Sequence, residues 1–428
     1  MTIRTLIIAE AANPEWVSVP LVGWSLATAI AKITSAHLVT QIRNREAILR
    51  AGLLEGRDFT AIDSEAVARP LSRVTTALIG KRGVGWTTGT AIFAMSYYYF
   101  EWLVWERFGA AIQRGDYDVV HRITPLSPTV PSIIAKKCLK AGVPFVVGPL
   151  NGGVPWPKGF DAARRKEREW LSYVRGAYRL LPAYKSTLNS AAALLIGSRD
   201  TLQQTPEAYR QKCVYMPENA IDPEKFSREL VPNTSGCLRA CFVGRLVPYK
   251  GPDMLLEALK PLLRDGSIQL DILGDGPMMP ALRDFVAAKK LDAAVTLHGW
   301  VDHRSLQDIM VRSQLLTFPS IREFGGGVVL EAMALGLVPV IVDYGGPGEL
   351  VNDENGIKIP IGQRHEIIVN FRQAVSTLCR EPEHVLRLSQ NAKARVRSLF
   401  TWDIKAHQVM NVYEWVLTKQ LEKPSFFS

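Results

Sequence analysis

Along this 428-residue chain, short apolar runs recur between amphipathic stretches, and few of them alternate polar with apolar residues. A run such as Thr5-Leu-Ile-Ile-Ala9 has no solvent side, so both its faces must be covered. Strands of that kind belong to parallel sheets with helices on both faces. The pattern predicts strands near 4–9, 36–42, 117–121, 143–148 and 192–197. A second set is expected near 238–243, 268–273, 294–298, 314–318 and 338–342, with helices near 251–264, 278–290, 328–335, 364–379 and 383–398. Between the sets lie Pro217–Phe226 and Val231–Gly236, dense in Pro, Asn and Gly, the composition of an interdomain connection. The expectation is two doubly wound α/β domains facing each other across a cleft, 1–218 and 219–402. A final helix over 403–421 joins the first. Ligands of such sheets sit at the carboxyl ends of the strands.

Several classes are excluded at this stage. Apolar residues make up 47% and charged residues 21%, which rules out collagen-like, low-complexity and disordered chains. The first apolar run is short and stops at Glu10, so it reads as a strand rather than a secretion signal. The stretch Thr87–Trp105 is aromatic and apolar but starts polar and carries Glu101, which points to a buried or partly interfacial helix rather than a spanning one. Five scattered cysteines, without a Cys-x-x-Cys, read as reduced core residues of a cytoplasmic protein. The net charge of +10 is unevenly spread: residues 1–218 hold 27 basic and 17 acidic side chains, and 219–428 hold 24 of each. A surplus in the first half favours a polyanionic partner there.

Four segments carry the chemistry, each following a second-half strand. Pro319-Ser-Ile-Arg-Glu323-Phe324-Gly325-Gly326-Gly327 opens a helix that brings Glu331 one turn in. Glycines at a helix start let backbone N–H groups approach an anion, and flanking carboxylates accept hydrogen bonds from sugar hydroxyls. Gly244-Arg245-Leu-Val-Pro-Tyr-Lys250-Gly251 delivers two cations suited to a diphosphate. Gly274-Asp-Gly276-Pro277 begins like a dinucleotide fingerprint but has Met279 in the third glycine position. Tyr344-Gly-Gly-Pro-Gly-Glu349 is the fourth.

In this order and spacing, the four motifs resemble the C-terminal half of family 4 (GT4) retaining glycosyltransferases of the GT-B fold. The likeness is close over 240–360 and looser at Asn219-Ala-Ile-Asp222 and Phe400-Thr-Trp-Asp403. The resemblance implies that Arg245 and Lys250 hold the donor diphosphate and that Glu331 binds the ribose hydroxyls. Glu323 and the backbone of Phe324–Gly326 would grip the transferred sugar and its phosphate. Gly327, Gly274 and Gly276 would shape the donor site, and the loop carrying Trp300 and Val301 would lie near the base. Such enzymes retain anomeric configuration and need neither metal nor cofactor, the nucleotide sugar (UDP or GDP) being a substrate. Asp116-Tyr-Asp118 spells an Asp-x-Asp, but its place just before a strand reads as a solvated turn.

In the first half the likeness is thinner. Where the family often has a Gly-Gly loop, this chain has Val19-Pro-Leu-Val-Gly23-Trp24, leaving Gly23 to fill one glycine's role. Where the family often has His-x-His, only His121 is present, either to assist the donor sugar and proton transfer or to serve structure. Gly148–Pro157, with Asn151 and Gly152, is expected to line the acceptor side. A basic amphipathic pattern over 164–185 suits either an anionic membrane surface or a solvated helix packed on the core. Tyr97–Phe100, Trp102 and Trp105 are divided in the same way between core and surface. No nucleic-acid-binding module is present. The expected acceptor is a lipid-linked or polysaccharide glycan in cell-surface assembly. A catalytically silent GT-B scaffold, or a GT-B phosphorylase or epimerase, is the alternative.

Overall fold

The computed structural model describes residues 2–65, 86–157, 159–161, 181, 183–231, 236–418 and 422–427, without the side chains of 86–95 and 303–304. The chain divides into two compact units. The first holds Met1–Gly153, Glu167–Glu218 and Trp402–Ser428; the second holds Val154–Lys166 and Asn219–Thr401.

In the first unit, seven strands form one sheet: β1 (Arg4–Ala9), β2 (Ser35–Gln41), β3 (Phe59–Ile62), β4 (Val119–Thr124), β5 (Phe145–Leu150), β6 (Ala193–Ile196) and β7 (Cys213–Tyr215). All pairs are parallel, in the order β3-β2-β1-β4-β5-β6-β7, so the winding reverses between β1 and β4. The two faces split the strand residues cleanly. Leu6, Ile8, Val120 and Val147 pack toward helix α3 (Trp86–Gln113), while Ile7, Ala9, Val119 and Val146 pack toward α1 (Val19–Ile33) and the last helix. Short helices α2 (Arg45–Arg50), α4 (Ile134–Ala141), α5 (Tyr184–Ser190) and α6 (Arg199–Gln204) complete the described part.

Glu101 shows why a charge can sit in the aromatic helix α3. Its carboxylate is buried, yet it accepts hydrogen bonds from Tyr97 Oη (3.0 Å), Ser132 Oγ (2.7 Å) and the N–H groups of Ile133 (2.6 Å) and Ile134 (3.3 Å). Those last donors open α4, whose dipole favours the anion. Tyr97 and Phe100 face the core, whereas Trp102 is 45% exposed and stacks on Tyr99. No helix among the described residues is long and apolar enough to cross a membrane.

The second unit repeats the plan with six parallel strands: β8 (Leu238–Val243), β9 (Ile268–Leu273), β10 (Val295–Gly299), β11 (Leu315–Phe318), β12 (Val338–Asp343) and β13 (Ile357–Pro360), in the order β10-β9-β8-β11-β12-β13. Between and after them run α7 (Pro252–Arg264), α8 (Met279–Ala288), α9 (His303–Met310), α10 (Gly327–Leu335), α11 (Gly345–Leu350), α12 (Arg364–Arg380) and α13 (Pro382–Leu399). Gln363 and Glu366 form a reciprocal capping box at the start of α12. Helix α14 (Trp402–Thr418) then lies against α1 in the first unit, burying Val409, Val412, Tyr413 and Val416.

The sheets differ from the sequence expectation at β3, β7 and β13, which the apolar pattern does not show. All three are short edge strands of three or four residues. All five cysteines are free.

Candidate functional site

The carboxyl edge of the second unit's sheet is built from loops that stack backbone on backbone. After β8, Gly244 N–H donates to Leu273 O (2.9 Å) and Leu246 N–H to Asp275 O (2.9 Å). Met278 N–H returns a bond to Leu246 O (3.1 Å). A Cβ on Gly274 would stand 2.0 Å from Gly244 O, and one on Gly276 would stand 2.5 Å from Leu246 O. The Gly-Asp-Gly turn is therefore a packing requirement of the neighbouring cation-bearing loop.

That loop places Lys250 against β11. Its side chain runs over Gly244, where a Cβ would meet it at 3.3 Å, and Nζ reaches Glu323 Oε2 at 2.9 Å. The two side chains are 16% and 22% exposed, so the pair is partly shielded from solvent. Nζ also lies 5.3 Å from the centroid of the Phe318 ring. Arg245, in the same loop, is exposed.

Glu323 begins the glycine loop. Gly326, with φ of 65°, is the N-cap of α10, and Glu331 is half-buried in the second turn of that helix. The turn after β12 braces this loop: Gly346 N–H donates to Glu323 O (3.0 Å). A Cβ on Gly345 or Gly346 would lie 2.4 Å from Glu323 O or 2.2 Å from Phe324 O. Asn219 stands over the start of α10, its Nδ2 3.8 Å from where a Cβ of Gly327 would be. Phe324, Gly325 and Gly327 remain half-buried and reachable. Further along the edge, Gly299 O accepts from Gly274 N–H (2.8 Å), Trp300 is 78% exposed and Val301 half-buried. His298, one strand over, is tied to Asp271 at 2.7 Å.

One group of contacts was not visible in the sequence. Gly148–Pro157 reads there as a single acceptor-side loop, but the structure divides it. Asn151 and Gly152 stay in the first unit, while Val154–Pro157 belong to the second. Arg322, 6% exposed, donates from Nε to Val154 O (3.2 Å), and its guanidinium lies 4.9 Å from the ring centroid of Trp156 and 5.2 Å from that of Phe324. Tyr344 Oη donates to Pro155 O (3.0 Å), and Trp156 meets Tyr249 edge to face. The only sequence signals were an Arg just before Glu323 and a Trp between two prolines.

The first unit places its candidates differently. Gly23 is inside α1, not in a loop. A Cβ there would stand 2.1 Å from Ala11 O and 3.0 Å from Thr124, so the glycine serves the close approach of helix and strand end. His121 is fully buried: Nδ1 bonds Tyr413 Oη (2.7 Å) and Nε2 bonds Gly148 O (2.8 Å). Burial pushes its pKa down to about 4, against the raising effect of the Gly148 bond. With both nitrogens engaged in the core, the structure does not present His121 to a ligand. Asn151 Oδ1 accepts from Gly153 N–H (3.0 Å) and Ser198 Oγ (3.4 Å), and Gly152 N–H donates to Thr201 Oγ1 (2.8 Å). Asp118 is held by the backbone and side chain of Arg4, and Asp116 by Arg114, so the Asp-x-Asp is an ion-paired turn. The basic stretch 164–180 lies outside the described residues; Lys185, in α5, is exposed. Among the described residues no group of three or more His, Cys, Asp or Glu is placed to hold a metal ion.

Residues 228–395 match the family model of glycosyl transferases group 1, the stretch that carries all four edge loops. That stretch, which lies within the second unit, is similar to the group 1 glycosyl transferases. Over 174 residues it is 30% identical to an α-D-kanosaminyltransferase of Streptomyces kanamyceticus, a match covering 40% of this chain and 44% of that protein. The chain thus spans about half the length, or less, of the curated relatives it matches. Solved structures share the fold over nearly the whole length. A glycosyltransferase of Rickettsia africae matches with a TM-score of 0.63 at 14% identity, covering 98% of this chain and all of the other. HepE of Anabaena, solved in complex with UDP, matches with 0.59 at 14%, covering 97% and 100%. The chain has the GT-B fold.

Proposed function

We propose that this chain transfers a hexosyl group from a nucleoside diphosphate donor, UDP- or GDP-sugar, to an acceptor hydroxyl with retention at the anomeric carbon. The observation that carries the proposal is the Lys250–Glu323 pair, 2.9 Å apart where the glycine loop enters α10. A cation and a helix N-terminus converge there, and together they suit a diphosphate. The UDP complex of the HepE neighbour is in keeping with this choice of donor.

In the proposed mechanism, Lys250 and Arg245 neutralise the charge that grows on the departing diphosphate, while the N–H groups at Phe324–Gly327 hydrogen-bond its oxygens. Glu331 accepts from the ribose hydroxyls. Glu323 takes hydroxyls of the sugar, trading its bond to Lys250 as the phosphates arrive. Leaving-group charge is then met by side chains and helix dipole, so the reading calls for no metal or other cofactor. His121 has a structural role in this reading, and Asn151 with Gly152 remains the acceptor-side candidate of the first unit. The acceptor is a lipid-linked or polysaccharide glycan of cell-surface assembly, reached at the cytoplasmic face of a membrane through the basic stretch 164–185.

A thermal-shift screen of nucleotide sugars tests the donor, since a ligand of the folded state raises the melting temperature. Proton NMR of the product then reads its anomeric configuration. An inverted product would remove the retaining mechanism, and a screen without a shift would remove the donor assignment.

A further inference from the structure

A loop holding three successive glycines, Gly325–Gly327, has little conformational preference of its own, so a defined array of N–H groups there needs an outside constraint. The β12–α11 turn supplies one side of it, through the Gly346 bond to Glu323 O. The other side comes from Val154–Pro157, a strap 168 residues earlier than the arginine it meets.

We infer that Trp156 and Arg322 are positioning residues for donor phosphate recognition: the strap clamps Phe324 through the Arg322 guanidinium and so sets the direction of the amides at 324–327. The inference rests on the donor reading above. Five contacts converge on it. Arg322 is buried and its guanidinium lies within 6 Å of two ring centroids, the range of cation–π attraction, one ring on the strap and one on the loop. Its Nε is anchored to the strap backbone at Val154 O. Tyr344, at the head of the bracing turn, holds the next strap carbonyl, Pro155 O. Trp156 also abuts Tyr249 of the Lys250 loop, so one side chain touches a member of each phosphate-facing loop or its stacking partner. A rigid, remote packing element can in this way govern a ligand it does not touch.

The test compares wild type, Trp156→Ala, Trp156→Phe and Tyr344→Phe by calorimetry with free UDP and free GDP, and by hydrogen exchange of a peptide spanning 323–331. Trp156→Ala is expected to weaken the preferred nucleotide roughly tenfold and to speed exchange at 324–327. Trp156→Phe keeps a ring face and should restore most of both, and Tyr344→Phe should shift both in the same direction by less. Melting temperatures within a few degrees of wild type separate positioning from unfolding. If Trp156→Ala unfolds the protein, Tyr344→Phe decides by the same two readouts. Wild-type affinity and wild-type exchange in the folded variants would overturn the inference. If wild type binds neither nucleotide, the donor reading fails instead, and the exchange measurement still decides whether the strap orders the loop.

Discussion

The two units share one architecture, a doubly wound parallel sheet, yet use their carboxyl edges in opposite ways. In the second unit the edge loops are short and glycine-tight, with Lys250 and Glu323 paired and partly exposed and Arg245 exposed. In the first, the side chains that the family likeness offers at the same edge are turned into the fold. Gly23 lies in a helix against Ala11 O, and His121 is sealed between Tyr413 and Gly148. Having the same fold twice does not give two sites of the same chemistry. In the second unit the Lys250–Glu323 pair and the tight glycine backbone gather where the loops stack, whereas Gly23 and His121 of the first unit pack into the fold.

Substitutions can break this contrast. The largest effect is expected from Gly274→Ala, which would set a Cβ against Gly244 O on a residue at φ of 142°. Strain and overpacking together predict a loss of roughly 3–5 kcal/mol, read as a lower urea midpoint. A wild-type midpoint would mean that the stacked loops are loose.

Next comes acid sensitivity of the first unit. His121 titrates at about 4 when folded against an ordinary 6.5, so the unfolded chain takes up a proton that the native state refuses. Its contribution is present in full above 6.5 and lost as pH falls toward 4, ~3 kcal/mol in all. Urea melts at pH 7 and 4.5 should show this slope in wild type and a shallower one in His121→Gln. Equal slopes would return His121 to a solvent-facing role.

Lys250→Ala should weaken nucleotide-sugar binding roughly a hundredfold, ~3 kcal/mol, at nearly unchanged melting temperature. Unchanged affinity in calorimetry would sink the donor assignment. Gly23→Ala, with its Cβ 2.1 Å from Ala11 O, should cost about 1–3 kcal/mol of stability and leave nucleotide affinity untouched. A loss of affinity without a loss of stability would make it a ligand-facing glycine after all. A last prediction concerns the surface: replacing Arg164, Arg165 and Lys166 by Gln should weaken co-sedimentation with anionic liposomes by about 1 kcal/mol per charge, about 3 kcal/mol in all. If the wild type does not co-sediment, the membrane proposal falls.

Legibility followed locality. Lys250, Glu323 and Glu331 are readable because strand, glycine loop and helix start are contiguous in sequence, and because glycine is conspicuous wherever backbone must approach backbone. The edge strands β3, β7 and β13 were not readable, since they are short and lack the apolar run that marks the equally short β6 and β11. The basic pattern at 164–180 lies beyond what the structure describes.

By itself, the sequence determined the parallel α/β plan of both units and the four loops at the second unit's edge, because apolar periodicity and glycine placement are local consequences of backbone sterics and burial. Only the tertiary structure decided that Gly23 is a packing residue, that His121 is committed to the core, and that Trp156 and Arg322 brace the glycine loop. Those outcomes depend on which distant segments touch, and contacts across 168 residues or 292 leave no period in a chain.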